Sequence, residues 1–331
     1  MGNKLPSEHF NEKIIIKKES MPGDYGHNPY ERKAEELINF GVVNINKPQG
    51  PSSHQVSYYV KKILDIKHCG HSGTLDPNVT GVLPIALGKA TRIVQTLLPA
   101  GKEYVCLMRL HSDVDEKDIR KKVDNFIGRI KQLPPVKSAI KRQLREREIY
   151  YFDLLEIEGR NVLFKVGCEA GTYIRKLVHD FGIELGTKAH MQELVRTKVG
   201  MFNDKNWISL HDLKDAYEFY KNGDESRIRK CILPIEDAVA HLKKVWVLDN
   251  VVGSLCYGSG LGVKGVSKLN EDIKKGEILA VMTLKNELIC IGKATMNSEE
   301  MLVKERGNII SDVKVFMERE VYPYKNKQKD I

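Results

Sequence analysis

The run GHSGTLDPNVTGVLP, residues 70–84, holds one carboxylate, Asp76, between Leu75 and Pro77, with Gly70, Gly73 and Gly81 around it. Three glycines and two prolines so close together do not sustain a regular helix or strand. The run therefore reads as a stiff, irregular loop that presents a single acid. Asp-Pro is by itself a common turn pair, so the purpose of the loop has to be read from the segments around it.

Upstream, FGVVNI (40–45) reads as a buried strand ended by NKPQGPSS. Val56, Val60, Ile63 and Leu64 then fall at i, i+4, i+7 and i+8, and Ser52 with Gln55 forms a capping box, which predicts a helix. Downstream, KEYVCLMRL (102–110) predicts a strand, and Ile119, Val123, Phe126, Ile127 and Ile130 predict a helix. NVLFKVGCEA (161–170) predicts a strand running into GTYIRKLVHDFG, where Ile174, Leu177, Val178 and Phe181 make a helical stripe. Ser209 and Asp212 cap a further helix over 210–221.

Near residue 245 the character changes. VWVLD, EILAVMTL, ELICIGKATM and DVKVFME are short apolar runs divided by turns, with Gly recurring from 253 to 292. That is the pattern of a small β-barrel. The expected organisation is a polar N-terminal extension (1–38) packing on the C-terminal domain, an α+β domain (39–244), an all-β domain (245–324) and a polar tail (325–331), with a linker at 240–246.

Fifty-three Lys+Arg against 44 Asp+Glu give a net charge of +9, which favours a polyanionic partner, nucleic acid first. No apolar run is long enough to cross a membrane, and the start carries neither a secretory signal nor a myristoylation pattern, Pro6 standing where the latter needs Ser or Thr. The six cysteines show no C-x-x-C spacing, so neither zinc nor a disulfide framework is expected and a reducing, intracellular setting fits. GLGVKG (260–265) matches G-x-G-x-x-G by letter but sits among β-like segments without a good helix after it. GVLPIALGKAT has the wrong spacing for a P-loop and lacks Ser or Thr after its Lys.

The basic stretch PPVKSAIKRQLREREIYY (134–151) carries Lys137, Lys141, Arg142, Arg145 and Arg147 beside Tyr150 and Tyr151. Cations grip phosphates and flat rings stack on unpaired bases, so single-stranded RNA is a sensible partner; a solvated charged face is the alternative. Asp76, Tyr104 in KEY, and Tyr173 with Arg175 in GTYIR form the sharpest constellation. An acid, an arginine and two aromatics suit chemistry on a flipped-out base, the ring stacking and the Arg pairing with the acid.

Taken together, NKPQGPSSHQV, GHSGTLDPNVTGVLP, CEAGTYIRKL, AHMQELVRTKVG and CYGSGLGVKGV resemble, in order, the motifs of the TruB/dyskerin family of RNA pseudouridine synthases, and most closely its archaeal dyskerin-type branch. The resemblance spans about 38 to 320. It implies a catalytic domain with a central mixed, mostly antiparallel sheet flanked by helices, plus a small β-barrel PUA domain that binds RNA. It implies that Asp76 is the nucleophile for cleaving the uracil N-glycosidic bond, after which the base turns and C5 rejoins C1′; attack on the sugar and attack on the base both remain open. No metal or organic cofactor is implied. Tyr104 would stack on the target base, Tyr173 line the pocket, Arg175 pair with Asp76, Leu194 form an apolar wall and His71 contact RNA. Lys47 and Pro48 would support the loop. Lys137, Lys141, Arg142 and Arg145 would belong to a thumb (about 136–150), and Gly258, Gly262, Lys264 and Gly265 to the RNA face of the PUA domain. Asn46, Val195 and Lys264 depart from the family's usual Asp, Arg and Pro.

The extension, the thumb and the PUA domain favour a guide-RNA-directed H/ACA ribonucleoprotein with small accessory proteins, acting on rRNA and tRNA in the cytoplasm, with neither DNA nor membrane as partner. A stand-alone enzyme for the T-loop uridine (position 55) of tRNA is the alternative within the family. A non-catalytic RNA scaffold is the alternative outside it.

Overall fold

The computed structural model describes residues 4–8, 13–134 and 142–324. The chain divides into two compact units, residues 1–9, 43–87 and 91–231 in one, and 10–42, 88–90 and 232–331 in the other.

In the first unit a large mixed sheet runs in the order Gly41–Lys47, Thr80–Leu87, Ala189–Val199, Lys102–Leu110, Asn161–Cys168, Arg145–Glu158 and Gly128–Gln132. Most neighbours pair antiparallel; Thr80–Leu87 lies parallel to Ala189–Val199, matched at Thr80↔Val195 and Gly81↔Arg196. That parallel contact is unusually close. A Cβ on Gly81, which sits at φ +110°, would lie 2.2 Å from the Arg196 carbonyl oxygen. Gly81 therefore serves strand packing, because no side chain fits against the Arg196 backbone. Apolar residues of the sheet (Cys106, Met108, Val162, Phe164, Val166) bury against Leu177, Val178 and Phe181 of the helix Ile174–Glu184. Ser52 caps the helix Ser53–Ile63 as expected, its Oγ accepting from Gln55 N at 3.2 Å, and Ser209 caps Leu210–Lys221.

Ile130 is not helical. The helix Glu116–Val123 ends in a short 3-10 turn over Asp124–Phe126. Gly128 then takes φ +92°, a conformation that a helix cannot continue through. Residues 128–132 instead pair with 145–149 as a hairpin. A helical stripe read across that glycine merged two elements.

The second unit holds a six-stranded sheet in the order Ile14–Ile16, Val266–Asn270, Lys243–Val247, Ile278–Met282, Leu288–Ala294 and Ile310–Val315. The path is open: among the described residues nothing pairs its two edge strands into a barrel. Residues 243–246, read as part of a linker, pair with strands on both sides and belong to the centre of the sheet. Lys243 and Lys244 hide a strand start because only Val245–Val247 look apolar.

The N-terminal stretch is more ordered than its polarity suggested. Ile14–Ile16 adds an antiparallel edge strand at Lys268–Asn270, and Ala34–Phe40 is a helix. Arg32 grips Glu236 with two bonds of 2.7 and 2.8 Å, both side chains buried, and Glu236 also accepts from Leu288 N at 2.9 Å. The polar tail 325–331 lies outside the described residues.

Candidate active site

Asp76 opens a tight turn: its carbonyl accepts from Val79 N at 3.0 Å, with Pro77 at the position where proline's fixed φ favours such turns. The turn is clamped from below. The Lys47 side chain is fully buried and its Nζ donates to the carbonyls of Pro48 (2.9 Å), Pro77 (3.0 Å) and Val79 (2.8 Å). Gly50 N donates to the Pro77 carbonyl as well, at 3.0 Å. On the other flank Ser53 Oγ accepts from Leu75 N at 2.8 Å and donates to Leu75 O at 3.2 Å. Main-chain groups on both sides of Asp76 are thus held by buried side chains, while the carboxylate itself stays exposed.

The Arg175 guanidinium reaches Asp76 Oδ2 across a sequence distance of 99 residues, and both side chains keep more than half their surface open. A carboxylate oriented by a planar cation but open to solvent is positioned and accessible to a substrate. Arg175 sits in the first turn of the helix Ile174–Glu184, for which Tyr173 is the N-cap residue.

Tyr104 is 7% exposed and joins Leu75, Val79 and Leu194 in one apolar cluster. Its ring is therefore mostly a wall of the site. Burial pushes its phenol above the usual range, and the Arg196 guanidinium partly opposes this. Leu194 lies on the strand Ala189–Val199 opposite Cys106. Tyr173 is half-buried. His71 ends the short strand Cys69–His71 and meets His54 edge-on, ring centroids 5.7 Å apart. Burial, and then the nearby His54 and Arg196, hold its imidazole below the usual range, so at neutral pH His71 is uncharged. Pro48 is exposed and contributes only its carbonyl to the Lys47 clamp.

Two further cations were not singled out in the sequence. Arg196, 1% exposed, donates from Nε to Val82 O (2.8 Å) and from Nη2 to Gly73 O (3.2 Å). Lys102, 6% exposed, donates to Leu98 O and Ala100 O, each at 3.0 Å. Burial pushes the Lys102 ammonium down to about 8, and the charge of Arg196 adds to the fall. Arg196 follows Val195 in the motif ELVRTKVG, and burial of an Arg cannot be read from its letter.

Of the basic segment, Lys137 and Lys141 lie outside the described residues, and Arg145 opens the long strand Arg145–Glu158 instead of sitting in a loop. Arg142 precedes that strand, exposed. In the second unit Gly258 (φ +83°) and Gly262 are exposed, as is Lys264, whereas Gly265 is buried and its carbonyl accepts from Leu248 N at 2.9 Å.

Four family models match the chain: the TruB family pseudouridylate synthase N-terminal domain over 61–174, the tRNA pseudouridylate synthase B C-terminal domain over 175–240, the PUA domain over 243–315, and the DKCLD domain over 3–57. The chain is 52% identical to the probable tRNA pseudouridine synthase B of Pyrococcus furiosus, covering 96% of this chain and 95% of that protein. The chain belongs to the TruB/dyskerin family of RNA pseudouridine synthases. The homologous protein of Methanosarcina barkeri is 50% identical over 97% of this chain and 96% of its own length. Among solved structures, the family member in a Cbf5-Nop10-Gar1 complex aligns with a TM-score of 0.93 at 52% identity, covering 97% of this chain and 99% of that one. Another, in an H/ACA ribonucleoprotein bound to a substrate RNA containing 2′-deoxyuridine, aligns with a TM-score of 0.91 at 50% identity, covering 97% and 99%. This member is accordingly a pseudouridine synthase with a mixed-sheet catalytic domain and a PUA domain.

Proposed function

We propose that Asp76 is the nucleophile of uridine isomerisation in this enzyme, and that the enzyme works as the catalytic subunit of an H/ACA-type ribonucleoprotein. The observation that carries the first part is the Asp76–Arg175 pair, presented on a turn whose carbonyls are fixed by buried Lys47. The reaction balances without a co-reactant. The N1–C1′ bond breaks, the C5–C1′ bond forms, and a proton leaves C5 while N1 regains one. The weak carboxylate nucleophile gains from being held in place before substrate arrives, because the ordering entropy is already spent in folding. The Tyr104, Leu194, Leu75 and Val79 wall accepts a flipped uracil, Tyr173 lines its edge, and neutral His71 contacts RNA beside it. Arg142 and Arg145, with Lys137 and Lys141 of the basic segment, grip RNA phosphates; the Gly258–Gly265 segment offers a second backbone-binding face.

Membership of a guide-directed particle is supported by the relatives, which are recorded with Nop10, with Gar1 and with substrate RNA; rRNA and tRNA are then both candidate targets. The names of the curated relatives favour a tRNA activity in addition. Pseudouridine mapping on tRNA and on a guide-matched target, using the full chain with and without guide RNA and accessory proteins, separates the two. Product on the guide-matched uridine only when all components are present is expected. Efficient, guide-independent modification of one tRNA uridine and no response to guide would replace this reading with the stand-alone one.

A further inference from the structure

The helix that carries Arg175 starts on a residue with a poor claim to start one. Tyr173 occupies the N-cap position, at φ −95° and ψ 102°, and makes no side-chain cap bond. Ser, Thr, Asp or Asn would normally fix such a start by accepting from the first turn. The start is fixed instead from 41 residues away. Gln132, 2% exposed, accepts from Tyr173 N through Oε1 at 2.9 Å and donates from its amide nitrogen to Tyr173 O at 3.2 Å. The two bonds settle which end of the amide is oxygen, since only this orientation satisfies both.

A primary amide offers a donor and an acceptor side by side in a single plane and so matches the N–H and C=O of one peptide residue. Gln132 is held for the purpose. It ends the strand Gly128–Gln132, where it pairs with Arg145. Two residues beyond Tyr173, Arg175 meets Asp76. The bonded chain therefore runs from the hairpin 128–149 through the Tyr173 backbone to the guanidinium that orients the carboxylate.

We infer that Gln132 is a positioning residue of the isomerisation, setting the backbone from which Tyr173 lines the pocket and Arg175 reaches Asp76. The inference rests on the assignment of Asp76 and Arg175 to the active site. A generic helix-stabilising role makes a different forecast: it would lower stability and leave the chemistry of the folded enzyme alone.

The test uses the full chain with the RNA and partners that support its activity, reading tritium release from 5-tritiated uridine under single-turnover conditions. Gln132→Met keeps the shape and removes both bonds. Its chemical step is expected to slow at least tenfold, with RNA affinity within twofold of the unsubstituted enzyme. Gln132→Glu keeps the bond from Tyr173 N and loses the one to Tyr173 O; it is expected to fall between the two, and it carries the test if Gln132→Met does not fold. Combined with Arg175→Lys, Gln132→Met is expected to lose far less than the product of the two single losses, because both act on the Arg175 guanidinium and only the Tyr173 contribution is left to add. A Gln132 variant that melts earlier yet reacts at the normal rate overturns the inference. So does a double variant whose losses multiply. If Arg175→Lys is itself unimpaired, the active-site assignment falls and takes the inference with it; a slow Arg175→Lys beside a fast Gln132→Met sinks the inference alone.

Discussion

Both units bury carboxylates on side-chain partners, as the first does with Glu103 on Tyr151 and Thr197, but the first also buries cations that bond to main-chain carbonyls. In the first, Lys47, Lys102 and Arg196 are buried cations that donate to the main-chain carbonyls of Pro48, Pro77, Val79, Leu98, Ala100, Val82 and Gly73, Arg196 bonding to the Tyr104 side chain as well. In the second, Glu236 and Glu287 are buried carboxylates held by side-chain partners, Arg32 for one, Tyr322 and Thr283 for the other. The carboxylates cross-link segments distant in sequence and cancel their own charge or share it with hydroxyls. The cations shape a loop and leave positive charge beneath it. A site that receives an anionic RNA backbone benefits from that uncancelled charge, whereas a structural cross-link does not need it. Burying a cation on carbonyls alone is costly, which is consistent with a requirement other than stability.

The largest expected effect tests the group above those cations. Asp76→Asn should reduce pseudouridine formation by more than about a thousandfold, as loss of a nucleophile does, while RNA affinity stays within a few-fold because the basic surface is unchanged. Product well above background would refute the nucleophile assignment. Next comes Arg175→Lys, which keeps charge but not the planar fork. Single-turnover rates at least about tenfold below normal are expected, and a near-normal rate would count against the Asp76 pair.

The contrast between the units is sharpened by a matched pair of variants. Lys47→Met removes the donor shared by three carbonyls, of which Pro77 keeps Gly50 N, and should cost about 3 kcal/mol in urea unfolding, with turnover lost even in the fraction that remains folded. Arg32→Met strands the buried Glu236 and should cost a similar or larger amount, about 3–5 kcal/mol, yet spare the chemical step of the folded enzyme. Equal damage to chemistry from both would erase the distinction.

The smallest effect concerns pH. Lys102 titrates near 8 in the folded chain against an ordinary value of 10.5, so between those limits the unfolded chain binds more protons and the contribution of this group to stability rises with pH. Relative to Lys102→Met, the wild type should therefore gain stability between pH 8 and pH 10.5, by up to about 3 kcal/mol. Paired urea melts at pH 7.5 and 10 check the sign; a difference that is flat or falls with pH would show that Lys102 keeps its ordinary affinity for protons.

How far the sequence could be read follows from the range of the forces involved. Capping at Ser52 and Ser209 and the strand Lys102–Leu110 depend on neighbours a few residues apart, and they stand where the pattern put them. The merged helix through Ile130 and the linker at 240–246 failed for a local reason too: a positive-φ glycine and two lysines masked where elements end. The long strand Arg145–Glu158 was hidden because its first four residues are all charged, and its burial alternates only once it is paired.

Family membership and the residues of the candidate site were legible from linear motifs, since Asp76, Tyr104 and Arg175 each lie in a short run whose order along the chain is itself specific. Of their supports only Lys47 was, through the first motif. Gln132, Arg196 and Ser53 act through bonds to peptide groups distant in sequence, and a peptide group carries no signature of its own in the letters. The sequence by itself determined the chemistry available, a lone carboxylate on a proline-stiffened loop with an arginine to meet it. Only the tertiary structure decided which buried cations and amides would hold that loop, because desolvation and hydrogen-bond geometry exist only once the strands have brought those groups together.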